Sequence, residues 1–507
     1  MIQRDNTNDA LAFRKQGIEG SRERGIKNSL RAPLPRVPLL QAVLTCNATA
    51  GWGSRVAALL LATVALSGLC SCSRPPNAQS TAQNPNVLLI VVDTLRADRL
   101  GCYGSPLGAT PRMDALAADG VRFAQAYAHA PWTLPSFASL FTSQAPPQHG
   151  AGGQLGHFKK LPLSARTIAE VFRKADYNTA AIVNVEFLTQ PFGMAQGFVH
   201  VDSEVHLENT ESRSATATTD AALKWLHDRP NGPFFLFVHY FDPHLTYNPP
   251  AEYRRRFAEP QDQVDSGCVF GLRDEVIAYH SGQKDFDAAT IRRAEKLYNG
   301  EVAYTDQEIG RLLDGLAELK LGERTMVVLT ADHGEEFLDH GRFEHGHSLY
   351  DELLHVPLIV RAPGHARGAA ISAPVGLIDV APTLCALAGI AAPPSFTGRS
   401  LQPALDGAAL EPRPVAMEGN FWGPSLSGWV ADGYKLVVGQ TETRLFNLAA
   451  DPQEQTDLSQ RDPQRTQQML AEMTAALAAM QSAAGRSEPV TLPPEELERL
   501  RSLGYAP

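Results

Sequence analysis

Residues 86–104 read NVLLIVVDTLRADRLGCYG, and the first half of that stretch decides the fold. VLLIVV at 87–92 is a continuous apolar run rich in β-branched residues, the pattern of a strand buried on both faces. Asp93 ends it. Four further runs read alike: TAAIV at 179–183, FFLFV at 234–238, MVVLT at 326–330 and PLIV at 357–360. Helical periodicity separates them, over 111–119, 164–175, 215–228 and 288–319. Strands alternating with helices predict an α/β fold, a large, mostly parallel mixed sheet flanked by helices. The segment 249–287 is polar and proline-bearing, and reads as an irregular insertion or lid near the site.

Polar residues collect where these strands end. Asp93 follows the first. Asp332 and His333 follow MVVLT, and His239, Asp242 and His244 close or follow FFLFV. In an open α/β sheet, sites form beyond the carboxyl ends of the strands, so a turn there can aim these groups into one crevice. Asp93, Asp332 and His333 make a plausible divalent-metal set. Hard oxygen ligands with one imidazole suit Mn²⁺, Zn²⁺ or Mg²⁺, and Ca²⁺ less well. Singly, each has a bland reading: Asp93 as a turn cap, His333 as a packed histidine.

Thr133 lies in APWTLPSFASLFTS at 130–143, where Phe137, Leu140 and Phe141 recur at helical spacing after Pro135. Proline is tolerated in a first helical turn. Thr133 is then either a helix cap or a hydroxyl at the positive end of a helix, where free N–H groups favour an oxyanion.

Beyond about residue 395 the texture changes. VAMEG at 415–419, GWVADGYKLVVG at 428–439 and TRLFNL at 443–448 predict short antiparallel strands with a turn at Asp432-Gly433. A helix is expected over 463–483. The implied organisation is a leader at 1–72, a polar tether at 73–85, a catalytic domain at 86–394, a C-terminal antiparallel-sheet subdomain at 395–485 and a tail at 486–507.

The formal net charge is −10. Residues 1–71 hold 9 Lys/Arg against 4 Asp/Glu, leaving 36 against 51 for the remainder. So acidic a body argues against a nucleic-acid partner. The basic leader precedes VAALLLATVALSGL at 56–69, too short to span a bilayer comfortably and suited to a signal-peptide core. Leu69-Cys70-Ser71-Cys72 resembles a bacterial lipobox and predicts an exported protein, periplasmic or at the cell surface, attached to the membrane through a lipidated Cys72. Three of the six cysteines, Cys102, Cys268 and Cys385, fall in the mature body, and no disulfide framework is expected from an odd number.

Taken together, NVLLIVVDTLRADRLGCYG, the Thr133 loop, VVLTADHGEEF at 327–337 and LFNLAADPQEQTDLS at 445–459 resemble the sulfatase family of the alkaline-phosphatase superfamily. The resemblance covers roughly 86–460. In that family the loop runs Cys or Ser, x, Pro, Ser, Arg, and its first residue becomes formylglycine, the nucleophile. Here Thr133 holds that place and Phe137 the arginine's, so no formylglycine is expected.

The resemblance implies Thr133 as nucleophile and metal ligand beside Asp93, Asp332 and His333. The Asp-His pair is similar to that of the phosphonate monoester hydrolase and lipoteichoic-acid synthase branches. HYFDPH at 239–244 would place His244 near the ester, and FEHGHSLYDE at 343–352 would place His345 and His347 near the anion. His244 and His347 would then be catalytic. His340 would be a supporting residue, and Asp242, His244 and His347 could hold a second metal. Arg96 and Asp98 would form a structural pair fixing their loop. The implied activity is metal-dependent hydrolysis of a sulfate or phosphate ester. The alternatives are a membrane-tethered phosphotransferase using the same threonine, and a non-catalytic binding protein retaining the fold.

Overall fold

The computed structural model describes residues 84–203, 213–257, 273–482 and 487–502. The apolar run 56–69, Cys72, nearly all of the tether and Cys268 lie outside the described residues. Among the described residues no helix is long and apolar enough to cross a membrane.

The main sheet has eight strands: β1 (Asn86–Val92), β2 (Val121–Phe123), β3 (Asn178–Val183), β4 (His200–Ser203), β5 (Phe234–Tyr240), β6 (Thr325–Ala331), β7 (Leu358–Arg361) and β8 (Ala369–Ile371). Their spatial order is β8-β2-β7-β6-β1-β5-β3-β4. Every residue of β1 is buried, which explains its unbroken apolar run: helices cover both faces. β1 runs parallel to both β5 and β6. β7 is antiparallel to β6 and β2, so the sheet is mixed on one side only.

Register places the polar strand ends level. Val92 pairs with Tyr240 on one side and Ala331 on the other, so Asp93 and Asp332 follow paired positions. Val91 pairs with His239. Side chains alternate along a strand, so His239 leaves the sheet on the same face as Asp93, two residues beyond Val91.

Two elements depart from the sequence reading. The helix expected from 164 spans Ile168–Lys174, because Thr167 and Glu170 form a reciprocal capping box that fixes its start. The insertion expected to be irregular holds two helices, Ala251–Phe257 and Arg273–His280. The first has no buried residue, and the second buries Val276 and the polar His280 side chain, so neither shows an apolar stripe. Tyr253 of the first packs 5.5 Å, ring to ring, from Tyr304 of the long helix Ala288–Glu318.

The C-terminal subdomain is a four-stranded antiparallel meander of β9 (Val415–Glu418), β10 (Ser427–Ala431), β11 (Tyr434–Val438) and β12 (Thr443–Asn447). Asp432 and Gly433 both take positive φ, 51° and 76°, as a tight hairpin turn requires. The helix Pro463–Ser482 lays Met469, Met473 and Leu477 onto Trp429, Leu436 and Leu445. Each such buried side chain contributes about 1.5–3 kcal/mol.

One buried charge ties this sheet to the catalytic domain. Lys435 of β11 has no exposed side-chain surface and lies 2.8 Å from Asp351 and 3.0 Å from Glu454. Lys435→Met is expected to destabilise the protein by about 3–5 kcal/mol, because it strands buried carboxylates without a counter-charge. Equilibrium urea unfolding measures this; an unchanged midpoint would show that the subdomain is held by its apolar contacts alone.

Candidate active site

The helix Thr133–Thr142 begins at Thr133 itself, and the preceding extended residue, Trp132, is its cap. Thr133 is therefore the first helical residue and not a cap, and its side chain is fully buried. Trp132 fixes the approach: its indole N–H donates to the Gly419 carbonyl at 2.7 Å, and its ring lies 5.1 Å from Phe421. One turn on, the Ser136 hydroxyl donates to the Asp332 carbonyl at 2.5 Å. The helix start is thus bolted to the end of β6.

Thr133 Oγ1 lies 3.4 Å from His333 Nε2. The same nitrogen is 3.5 Å from Asp93 Oδ1 and 3.4 Å from Asp332 Oδ2. His333 Nδ1 faces the Gly334 carbonyl at 2.9 Å, so it carries the hydrogen and Nε2 presents a lone pair. Asp93 Oδ1 and Asp332 Oδ2 are buried without a hydrogen-bond partner. Burial pushes the Asp93 carboxyl up to about 8 and Asp332 well above the carboxylate range, and drives His333 well below the imidazole range. Three potential ligand atoms thus face one another, with the Thr133 hydroxyl beside them. Among the described residues, Asp93, Asp332 and His333 are the chelating set of that size. Their chemistry fits a divalent cation, whose charge would reverse the pKa shifts of both carboxyls.

Around this set lie groups the sequence reading did not assign. His239 Nε2 is 3.2 Å from Asp93 Oδ2, and Phe137 packs edge-on against the His239 ring at 5.3 Å. Phe137 also meets Phe141 and Phe237, so its position is part of the apolar core. Thr94 holds a positive φ of 53°, strained for a β-branched residue, and its buried hydroxyl has no hydrogen-bond partner among the described residues.

His345 stands over the set, its ring 4.5 Å from His333 and 5.0 Å from His244. Its Nδ1 is 2.9 Å from Glu335 and its Nε2 3.7 Å from Glu344. Burial opposes a charge there, but the carboxylates of Glu344 and Glu335 push His345 up to about 10, so it is an imidazolium at neutral pH. Tyr247 donates to the other oxygen of Glu335 at 2.8 Å. Glu344 in turn lies 2.6 Å from His280 of the insertion and accepts from the Trp422 indole at 3.2 Å. It holds a positive φ of 74°, a conformation costing a non-glycine residue about 1–2 kcal/mol, which these three partners offset. At Gly346, with φ 81°, a Cβ would come within 2.9 Å of Phe421, so only glycine lets the loop pass. His244 is the opposite of His345: its Nδ1 donates to the Leu245 carbonyl, and burial pushes it down to about 3, leaving it neutral.

Other expected residues sit elsewhere. Asp242 accepts from the Ala215 amide at 2.6 Å and anchors the start of the helix Ala215–Asp228. His347 pairs with Glu336 at 2.8 Å, on the far flank of the loop that carries His345. A second metal at Asp242, His244 and His347 is therefore not assembled, because two of the three are turned to other partners. His340 bonds Glu352 at 2.7 Å and stacks on Tyr350. Arg96 grips Asp98 and Asp339 with paired hydrogen bonds and donates to the Glu335 carbonyl at 3.0 Å. It braces the loop after β6 and makes no contact with the Thr133 helix among these bonds. Glu344 directly precedes His345 in sequence, whereas Glu335 lies ten residues upstream, and only the folded loop brings it to the ring.

A nucleophile position at a helix start, an Asp-Asp-His set at parallel strand ends and a caged cation define a hydrolase of anionic esters. The sulfatase family model matches residues 85–390, and the chain belongs to that family. A second model, N-sulphoglucosamine sulphohydrolase C-terminal, matches 338–483. An uncharacterised sulfatase of Escherichia coli K12, YidJ, is 27% identical over 425 residues, covering 74% of this chain and 83% of its own. The phosphonate monoester hydrolase of Agrobacterium radiobacter shares the fold at TM-score 0.65 and 22% identity, over 81% of this chain and 100% of its own. BT4656, solved with D-glucosamine-2-N,6-O-disulfate, shares it at TM-score 0.66 and 21% identity, over 79% of this chain and 99% of its own. The protein is accordingly a sulfuric or phosphoric ester hydrolase of the sulfatase family.

His345 offers a test of the site's electrostatics. His345→Gln should lower kcat/KM by about 100-fold or more and destabilise the fold, since it leaves Glu335 and Glu344 buried without a counter-charge. His345→Lys should restore much of both. Loss of activity with equal severity in the lysine variant would mean that ring shape, not charge, is what the position supplies.

Proposed function

We propose that this enzyme cleaves sulfate or phosphate esters with Thr133 Oγ1 as an unmodified nucleophile. The observation that carries this reading is the approach of Thr133 Oγ1, Asp93 and Asp332 to one imidazole lone pair on His333, within 3.5 Å. Asp93, Asp332, His333 and Thr133 would hold one divalent ion, which when bound lowers the pKa of the hydroxyl and screens the anionic ester.

In this reading Oγ1 attacks sulfur or phosphorus while the bond to the ester oxygen breaks. The helix start places free N–H groups and a positive dipole end beside the attacking atom. His345 supplies positive charge to the anion and the proton that the departing oxygen takes up, and the proton released from Thr133 reprotonates His345, so that one proton passes from Thr133 to the leaving oxygen with no net change in charge. Neutral His244 borders the same space and orients the ester by hydrogen bonding. Water then cleaves the Oγ1-linked intermediate and regenerates threonine. A formylglycine hydrate expels sulfate without water attacking sulfur; a threonine ester has no such route. Phosphorus tolerates the second attack better, so phosphate-type esters should be cleaved at least as well as sulfates. Export and anchoring through Cys72 remain part of the proposal, supported by residues 56–72 alone and tested by incorporation of labelled palmitate.

Thr133→Ala should reduce turnover by about 10³-fold or more, and Thr133→Ser should keep a measurable fraction, because the hydroxyl survives. Peptide mass spectrometry should find ordinary threonine at rest and, after rapid quench, threonine carrying one sulfuryl or phosphoryl group. Turnover unchanged in the alanine variant would rule the nucleophile out. Asp332→Asn should separately strip the metal, read by elemental analysis of the folded protein, since it removes one of two anionic ligands. Full metal content in that variant would place the ion elsewhere.

A further inference from the structure

A cavity of about 170 Å³ lies on the far flank of the His345 loop, between residues of 336–350 and the C-terminal sheet. None of Asp93, Thr133, Asp332, His333 or His244 lines it. At about 30 Å³ per water, it has room for five or six non-hydrogen atoms.

Two polar atoms on side chains lining this cavity are buried without a hydrogen-bond partner, His347 Nδ1 and Ser348 Oγ. Their residues are only 4% and 7% exposed. Such atoms cost about 1–3 kcal/mol each unless something pairs with them. Most neighbouring polar groups are already committed. Glu336 takes the His347 Nε2 hydrogen at 2.8 Å and accepts from the amides of His340 and Arg342. Arg444 bonds Glu442 at 2.7 Å and also the Tyr350 hydroxyl. Arg342 also lines the cavity, is exposed, and makes no ion pair among the described residues.

These three residues define complementary chemistry. The Nε2 hydrogen of His347 is given to Glu336, and its Nδ1, left without a partner among the described residues, is matched by a group that can donate or accept, such as a hydroxyl. Ser348 Oγ can donate or accept. Arg342 adds an uncommitted guanidinium, suited to a planar or tetrahedral oxyanion. We propose that the cavity is a second ligand site, separate from the hydrolytic centre, for a small oxyanion that also carries a hydroxyl. Hydrogen phosphate and the acidic group of a hydroxylated sugar share that chemistry. Sulfate, which has no hydroxyl at neutral pH, fits less well.

Crystals of the full chain soaked with arsenate or selenate test this directly, because both elements are located by anomalous scattering. Arsenate bears a hydroxyl as hydrogen phosphate does; selenate mimics sulfate. Arsenic should appear beside Ser348, His347 and Arg342, selenium there weakly or not at all, and Arg342→Gln combined with Ser348→Ala should abolish the arsenic peak. Arsenic absent from this cavity, or retained in the double variant, overturns the proposal, whatever is seen at Thr133. Kinetics separate the two sources. If the group belongs to the substrate, Arg342→Gln raises KM at least about threefold for a sugar ester bearing a second acid, with kcat and simple aryl esters unaffected. If the ligand is free phosphate, KM is unchanged for both while inorganic phosphate displaces arsenate from the cavity.

Discussion

The site is organised by a repulsion. Two carboxyl groups are held within 3.5 Å of His333 Nε2, which presents a lone pair, all three side chains fully buried, by the parallel register of β1 with β6. Among the described residues, neither Asp93 Oδ1 nor Asp332 Oδ2 has a hydrogen-bond partner. Such an arrangement persists only if the surrounding fold is stiff enough to impose it, and the central sheet, with β1 wholly buried, provides that stiffness. A positive group is the natural resolution of the strain, and the chain sets one nearby in His345. Its charge is caged between Glu335 and Glu344, so the protein carries a cation next to a site that gathers anions.

The supports of that cation come from three separate parts of the chain. Glu335 belongs to the loop after β6, His280 to the insertion helix, and Trp422 to the segment between β9 and β10. The insertion is therefore more than a cover. Its second helix ends on the residue that holds Glu344, and Trp422 stacks on the same His280 ring at 4.5 Å. The C-terminal subdomain contributes again through Lys435, which binds Asp351 a few residues past His347. The loop carrying His345 is thus braced at both ends by sequence far from it.

How much of this could be read from the sequence follows from where the signal lies. Asp93, Asp332 and His333 were legible because each ends an unbroken apolar run, and parallel pairing brings such ends level. Thr133 was legible as a helix start because Phe137, Leu140 and Phe141 set the helical phase. The alternative reading as a cap failed only because Trp132 took that role. Asp242 and His347 meet partners that the sequence does not announce, although they lie in the same short motifs as His244 and His345. A motif places residues in a loop, while the partner each side chain meets is fixed by neighbours such as the Ala215 amide and Glu336. The insertion helices escaped notice because neither carries an apolar stripe at helical spacing. The His280 side chain is buried, but its partner Glu344 lies 64 residues on, and no motif around it signals that pairing.

The indole of Trp132 donates to a carbonyl at Gly419, almost three hundred residues downstream. During synthesis the ribosome emits the Thr133 helix long before that carbonyl exists. The backbone at Thr133 therefore lacks its anchor until β9 and the turn after it have emerged and docked. Premature termination between Ile371 and Gly419 leaves a chain with every strand of the main sheet but an unfastened helix start. The order of manufacture thus makes activity a property of the finished polypeptide, with the last subdomain serving as the proof that the chain is complete.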